Sequence, residues 1–487
     1  MIDTAWRQVR HGLAVASGRH IRPEDVSALV TQLRATLDEF GDVNDEQFSE
    51  AMARPLDPDI RQRMKEKGWR RTAQNAGRTT TFYGDLFNDL GVDLDDLTLD
   101  NLDAVPPTSK AALRSRPSDF VSSAARPALR ATTTGTTGRP AVCWFSTYEL
   151  DLAAAYSAIA YLAVNRLRNE DLVTICVSGR SVVAVRSMLR ALEMAGVASQ
   201  FVGVIDPQQA LFNLSQPIGV RGKKDKPSVL ITCPSYLGAL LDTARAGRFS
   251  STDFQLEQIL CGGEVLTAHL KQEAEGFFGA RVTEAYAMTE TFPMTGMACG
   301  SGHLHFASDT GLVETLDPDS LTPARPGSIG VLVMTPFIPY RETTVVLRMV
   351  TGDLVRVLDQ SDLGCELSGL EATSLPLGRE GLRPSIDAER IFERDILELL
   401  HGEPPIPLAV SYGIEPDGNE VILHIGSPCP PPLIDRLELE ATRRGLPVKR
   451  VIGHRNPSSI PHRMLNRALL RETIPVRHDA LGTWELR

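Results

Sequence analysis

No apolar stretch approaches the roughly 18 to 20 residues that a membrane-crossing helix needs, so no membrane partner is expected. The N-terminus, Met1-Ile-Asp-Thr-Ala-Trp-Arg-Gln, lacks the apolar core of a secretory signal. Cysteine is scarce: seven residues in 487, odd in number and scattered, do not make a disulfide framework and suit a reducing compartment, so a cytoplasmic location is expected. A basic face is also missing. With 51 Lys and Arg against 61 Asp and Glu, the net charge is −10, which argues against a nucleic-acid or anionic-membrane partner. The short run Arg221-Gly-Lys-Lys-Asp-Lys226 reads as a solvated loop. Internal repeats and low-complexity segments are absent too. What is present is ordinary globular composition, 42% hydrophobic and 23% charged, on a chain long enough for two or three domains with sizeable cores.

Periodicity separates three regions. Val26, Leu29, Val30, Leu33 and Leu37 recur at helical spacing after Pro23, Glu24 and Asp25, a favourable first turn. The first 120 residues or so are expected to be largely helical, a lead-in packed on the large domain or a subunit-contact layer, which leaves a homodimer open. From about 140 to 376, short apolar runs (Asp171 to Val177, Ser228 to Cys233, Gln258 to Cys261, Gly330 to Met334) alternate with helical stretches. This predicts an α/β domain with a mostly parallel sheet and ligand-binding turns at the carboxyl ends of its strands. After Arg379 a smaller α+β unit is predicted, helix-like over 386–401 and strand-like over 407–410 and 420–425.

The functional signal is an ordered trio of motifs. Residues 133 to 140, Thr-Thr-Gly-Thr-Thr-Gly-Arg-Pro, form a loop without bulky side chains. Its backbone N–H groups, helped by the hydroxyls of Thr133, Thr134, Thr136 and Thr137, suit phosphate oxygens, with Gly135 and Gly138 permitting close approach. No Gly-Lys-Ser/Thr closes it, so an ordinary P-loop is excluded. About 150 residues later comes Glu284-Ala-Tyr-Ala-Met-Thr-Glu290-Thr, and then Thr351-Gly-Asp353-Leu. Glu290 offers a carboxylate to a phosphate-bridging Mg²⁺, Tyr286 a ring to a purine, and Asp353 an acceptor to ribose hydroxyls. Together they read as an ATP site.

At these residues the chain resembles the adenylate-forming, acyl-CoA synthetase superfamily and, within it, the phenylacetate-CoA ligase branch. Thr133 to Pro140 is similar to that superfamily's Ser-Ser-Gly-Thr-Thr-Gly-Lys-Pro loop, with Arg139 for Lys; Cys261-Gly-Gly263-Glu264 resembles its segment beside the adenine. Tyr286 to Glu290 resembles Tyr-Gly-Met-Thr-Glu, with Ala287 for Gly; Gly378-Arg379 matches the Gly-Arg before the interdomain hinge. The branch rests on Asn75 to Tyr83 and Val105-Pro-Pro-Thr-Ser-Lys110, and the resemblance covers roughly residues 70 to 470. It implies a helical lead-in (1–120), a large multi-layer α/β adenylation core with parallel and mixed sheets (121–378), and a small mobile α+β C-terminal domain (379–487). It further implies that a small carboxylic acid, aromatic in most of the branch, is activated as an acyl-adenylate with release of pyrophosphate and passed to CoA or a carrier-protein thiol. Catalysis would fall to Mg²⁺-bound Glu290 with neighbouring Thr289, and to a C-terminal cation.

The sequence departs from the family at that cation. The branch's C-terminal Lys aligns with Asn466, and Arg467 or Arg463 is left to compensate. An amide carries no charge and a guanidinium is not an ammonium. The acceptor is therefore open: an amine, hydroxyl or other small nucleophile is the alternative to a thiol, and a non-catalytic nucleotide-binding homologue is a third reading. Cys299, His305 and Cys365 match a Cys/His pattern of the branch, with His303 as a fourth ligand to a structural Zn²⁺ and Leu367 standing where a further Cys would be. Phe145, Tyr236 and Phe292 are the candidates for walls of the acyl pocket. An Arg- and Ala-rich chain with few Lys fits natural-product biosynthesis.

Overall fold

The computed structural model describes residues 7, 10–14, 20–41, 57–133, 140–247, 249–307, 309–361, 363–380 and 391–460, with the strands Arg463–Met464, Arg477–His478 and Trp484–Glu485. The helix Pro23–Phe40 begins as its sequence dictates, with proline in its first turn beside Glu24 and Asp25. Val26 and Val30 are buried, and Asp25, also buried, pairs with Arg10. The helix Pro58–Thr79 is capped by Asp57, and Thr80 caps the next helix, Thr81–Leu90. Trp69, Tyr83, Phe87 and Phe120 share one core with Phe145, Val345, Val346, Leu347 and Met349, so the helical lead-in and the strands after residue 130 bury each other's apolar faces. Arg348, itself buried, ties the two together by donating to the Leu102 and Val105 carbonyls while paired with Glu314 at 2.8 Å.

The central sheet has eight strands. Five are parallel, in the order Ala198–Phe201, Leu172–Cys176, Val229–Thr232, Gln258–Gly262 and Arg281–Ala287; Thr295–Ala298, His303–Phe306 and Glu371–Ser374 extend it antiparallel. The parallel strands read as continuous apolar runs because helices cover both faces. The run at Gly330 lies elsewhere: Ile329–Pro336 belongs to an antiparallel sheet with Gly311–Leu316, Met349–Arg356 and Gly378–Arg379. A continuous apolar run does not distinguish a parallel strand from an antiparallel one buried on both faces. The architecture is nonetheless the mixed α/β, multi-sheet fold that the sequence predicts.

A separate core of Ile391, Ile396, Leu400, Val421, Leu423, Leu437 and Val451 supports a third sheet, in which Glu420–Ile425 lies between Tyr412–Asp417 and Val448–Gly453. Two local expectations are corrected here. The helix begins at Glu393 rather than 386, because Ile391 and Phe392 are buried ahead of it and Asp395 accepts the Phe392 N–H at 3.0 Å; residues 381–390 lie outside the described part. Residues 407–410 form no strand: Leu408 enters the core beside Leu237 and Leu240, and the Ala409 N–H donates to Asp242 Oδ2 at 3.0 Å instead of to a neighbouring strand.

Candidate functional site

The parallel strands end on one cavity of about 900 Å³. Val177 and Ser178 follow one strand, Cys233 the next, Gly263 and Glu264 the third, and Ala287, Met288, Thr289 and Glu290 the fourth, and all of them line it. This is the position at which open α/β sheets gather ligands, because the chain diverges to either side of the Leu172–Cys176 strand. Gly262 is required in its strand: a Cβ there would lie 2.7 Å from the Ala285 carbonyl oxygen. Gly263 turns with φ 87°, and Glu264 is fixed by accepting the Ser235 N–H at 2.9 Å.

Glu290 is 5% exposed and faces the cavity with no hydrogen-bond or ion-pair partner among the described residues. A buried carboxylate without a partner is costly, and a divalent cation is the ligand chemistry that satisfies it. Lys110 and Arg379 line the same wall. Arg379 Nε stands 3.1 Å from Asp353 Oδ1, and the Tyr286 hydroxyl donates to Asp353 Oδ2 at 2.8 Å. Asp353 is presented by the strand Met349–Arg356, where Gly352 takes φ 70° opposite a register shift at Val331/Val333. Tyr286 and Asp353 are not in the cavity wall; they join it through Arg379. Burial, followed by the Asp353 charge, pushes the Tyr286 phenol well above its ordinary range.

Thr133 lines the cavity, and its backbone N–H and hydroxyl both pair with Ala141, at 2.9 Å each, closing the base of the Gly/Thr loop at the end of the hairpin Leu129–Thr132/Val142–Phe145. Thr134, Gly135, Thr136, Thr137 and Gly138 lie outside the described residues, as do Asn466 and Arg467.

Two substrate candidates are corrected. Tyr236 is fully buried and donates its hydroxyl to the Ile205 carbonyl at 2.8 Å; Phe145 is fully buried with the Arg341 guanidinium 3.9 Å above its ring. Neither lines the cavity. Apolar side chains at these positions serve the core, as most aromatics do. Phe292, which packs edge-on to Phe145 at 5.8 Å, does line it.

Two wall residues were missed. Lys110 opens the helix Lys110–Ser115, stitched to the Asp353 strand through Thr108, whose carbonyl accepts the Val350 N–H at 2.9 Å. Its signal was in the Val105–Lys110 motif, noted as a family marker and given no role. Burial draws the Lys110 amine down, opposed by Glu290. Asp309 had no sequence signal, since a single acid in a loop does not announce a cavity.

Cys299, His303, His305 and Cys365 form a second cluster, their ligand atoms all within 4.8 Å of one another. The two histidines sit on one strand, His303–Phe306; Cys365 comes from the loop before the edge strand Glu371–Ser374, which pairs with it. Cys365 Sγ and His305 Nε2 are 3.4 Å apart, and His303 Nδ1 is buried without a partner. Two soft sulfurs, two imidazoles and an orphaned ring nitrogen fit a tetrahedral cation.

The fold and this cavity define the class of nucleotide-binding α/β enzymes with a large body and a smaller C-terminal unit. The chain belongs to the AMP-binding enzyme family, whose match spans residues 84–352. It is similar to a phenylacetate-coenzyme A ligase of Thermus thermophilus, 31% identical over 135 residues, which are 26% of this chain and 29% of that one; the match thus spans under a third of the relative's length. Among solved structures, it shares its fold with 2-hydroxyisobutyryl-CoA ligase in the postadenylation state (19% identity, 84% of this chain, 89% of the other, TM-score 0.67). The same ligase in its thioesterification state superposes with a TM-score of 0.52, at 20% identity over 84% of this chain and 92% of that one.

Proposed function

We propose that the protein is an ATP-dependent acid ligase: it activates a small, aromatic carboxylic acid as the acyl-adenylate and transfers the acyl group to a thiol, that of CoA. The observation that carries this reading is the cavity lined both by Glu290, Lys110 and Arg379 and by apolar surface from Phe292, Met188 and Tyr161. The charged groups suit phosphates and the apolar surface an acyl chain. In the first step the substrate carboxylate oxygen attacks the α-phosphorus of ATP as the bond to pyrophosphate breaks; in the second a thiolate attacks the acyl carbon and AMP leaves. Such chemistry needs alignment and charge neutralisation rather than a side-chain nucleophile.

In this reading Glu290, with Thr289 beside it, would hold Mg²⁺, which would supply positive charge to the phosphoryl oxygens. Gly263 and Glu264 flank the adenine, Asp353 receives the ribose hydroxyls, and Arg379 stands at the hinge between the core (121–378) and a mobile small domain (379–487). The four-residue Cys/His cluster binds structural Zn²⁺ and fixes the loop around Cys365. Support for an aromatic acid is the aromatic and apolar lining of the cavity.

Pyrophosphate release is the test, with ATP, Mg²⁺ and a panel of aryl and aliphatic acids, with and without CoA. Acid-dependent release that turns over repeatedly only with CoA is the expected result. Release without CoA-dependent turnover points to an amine or hydroxyl acceptor, and ATP binding with no release from any acid to a non-catalytic homologue.

A further inference from the structure

The same cavity is also lined by Asp309, Thr310, Tyr156 and Tyr340. Asp309 sits in a turn held in place on both sides. The Thr310 hydroxyl donates to the Ala307 carbonyl at 3.0 Å, the Phe337 N–H donates to the Thr310 carbonyl at 2.9 Å, and Gly311 then enters its strand opposite Pro336. Backbone N–H groups at 309 and 310 stabilise the carboxylate, and burial pushes its pKa up. No lysine or arginine pairs with it among the described residues; the ring of His11, whose own pKa burial draws down, acts on it electrostatically, and His11 Nε2 lies 3.4 Å from the Tyr156 hydroxyl. Tyr156 and Tyr340 meet edge to face at 5.6 Å, so two phenols flank the acid.

An acyl pocket that needed only to hold a hydrocarbon ring gains nothing from a carboxyl group in its wall, because desolvating that group on ligand entry is unfavourable. The cost is offset when the ligand itself brings a donor. We infer that Asp309, flanked by Tyr156 and Tyr340, selects a carboxylic acid bearing a hydrogen-bond-donating substituent, amino or hydroxyl, remote from the carboxyl group that is activated. The inference rests on the acid-ligase reading of the cavity and names its substrate class. Discrimination follows from the analogue: a methyl group of the same size desolvates the Asp309 carboxylate while offering it no donor, and a site built around a substrate N–H or O–H rejects the analogue lacking it.

The test pairs amino- and hydroxy-substituted benzoates and phenylacetates with their methyl isosteres, in acid-dependent ATP–pyrophosphate exchange and, separately, in calorimetric binding to the full-length enzyme. The donor-bearing acid is expected to be favoured by about 10²-fold in kcat/KM, with the ratio falling to near one in D309L and largely kept in D309N, whose amide oxygen still accepts. D309A, which adds no bulk, replaces D309L if that variant does not fold. Methyl analogues that match their donor partners, or a preference unchanged in both D309L and D309A, overturn the inference. Should no acid support exchange, the ligase reading fails on its own. The calorimetric ratio then decides the inference independently: a donor preference lost on removing the carboxylate upholds it, and equal binding of each pair overturns it.

Discussion

The Tyr286 hydroxyl donates a 2.8 Å hydrogen bond to Asp353 Oδ2 while Arg379 Nε holds Oδ1 at 3.1 Å, so one carboxylate joins the end of the central sheet to the antiparallel sheet beside it. Each oxygen keeps a second lone pair for a ligand hydroxyl. D353A is expected to weaken ATP binding by about 10²-fold, since it removes the acceptor and the Asp353–Arg379 ion pair together. Y286F removes one hydrogen bond of about 1 kcal/mol and is expected to weaken ATP binding about five-fold. Titration of each variant with ATP by calorimetry checks both. An effect of D353A no larger than that of Y286F would remove Asp353 from the ATP site.

Lys110 supplies a cation on the wall that carries Glu290, with no partner of its own among the described residues. K110M is therefore expected to lower kcat for pyrophosphate release by about 10²-fold, the loss typical of one preorganised charge, while K110R recovers part of it. A structural role predicts something else, a fall in thermal stability with kcat spared. Because burial draws the amine's pKa down, activity is expected to decline on the alkaline side as Lys110 loses its proton, and K110R is expected to abolish that limb. A wild-type alkaline limb unchanged in K110R would assign the titration to another group.

Much of this was legible in the sequence, and the reasons are local. Three of the five parallel strands announced themselves as apolar runs, whereas Ala198–Phe201 and Arg281–Ala287, which carry polar residues, did not; Glu290, Thr289, Gly263 and Glu264 were readable because short motifs at strand ends fix both residue type and position. Lys110 was visible as a letter but not as a charge in a cavity, since the bridge at Thr108 that brings it to the Asp353 strand spans more than 230 residues. Tyr236 illustrates the opposite error: an aromatic after Pro234 has the same pattern whether it faces a ligand or, as here, a carbonyl in the core.

At the cluster of Cys299, His303, His305 and Cys365, metal loss has a definite expected signature. One Zn²⁺ per chain is expected by elemental analysis of the purified enzyme, reduced below one tenth in a H305A/C365S double variant. Because Cys365 reaches the cluster from a loop whose following strand pairs with the histidine strand, chelation is expected to speed proteolysis within residues 363–370 before it alters the rest. Stoichiometric metal with proteolysis unchanged on chelation would show that the ion does not hold this loop.

His401 joins the small unit to the large one: it is 5% exposed, and its Nδ1 lies 2.7 Å from the Thr267 hydroxyl. Burial, with a smaller contribution from His269, lowers its pKa from 6.5 to about 4. The folded state thus resists a proton that the unfolded chain accepts near pH 6.5, and between these values the unfolded state binds more protons. Stability contributed by the neutral ring is complete above about pH 6.5 and is lost as the pH falls toward 4, at a slope on the order of 1.4 kcal/mol per pH unit. Denaturant unfolding of the wild type between pH 7.5 and 5 is expected to show that slope. H401N, which cannot titrate, is expected to be less stable than the wild type at pH 7.5, by about 1 kcal/mol for one imperfect hydrogen bond, and to close that gap as the medium is acidified. An identical pH slope in H401N would place the acid sensitivity elsewhere.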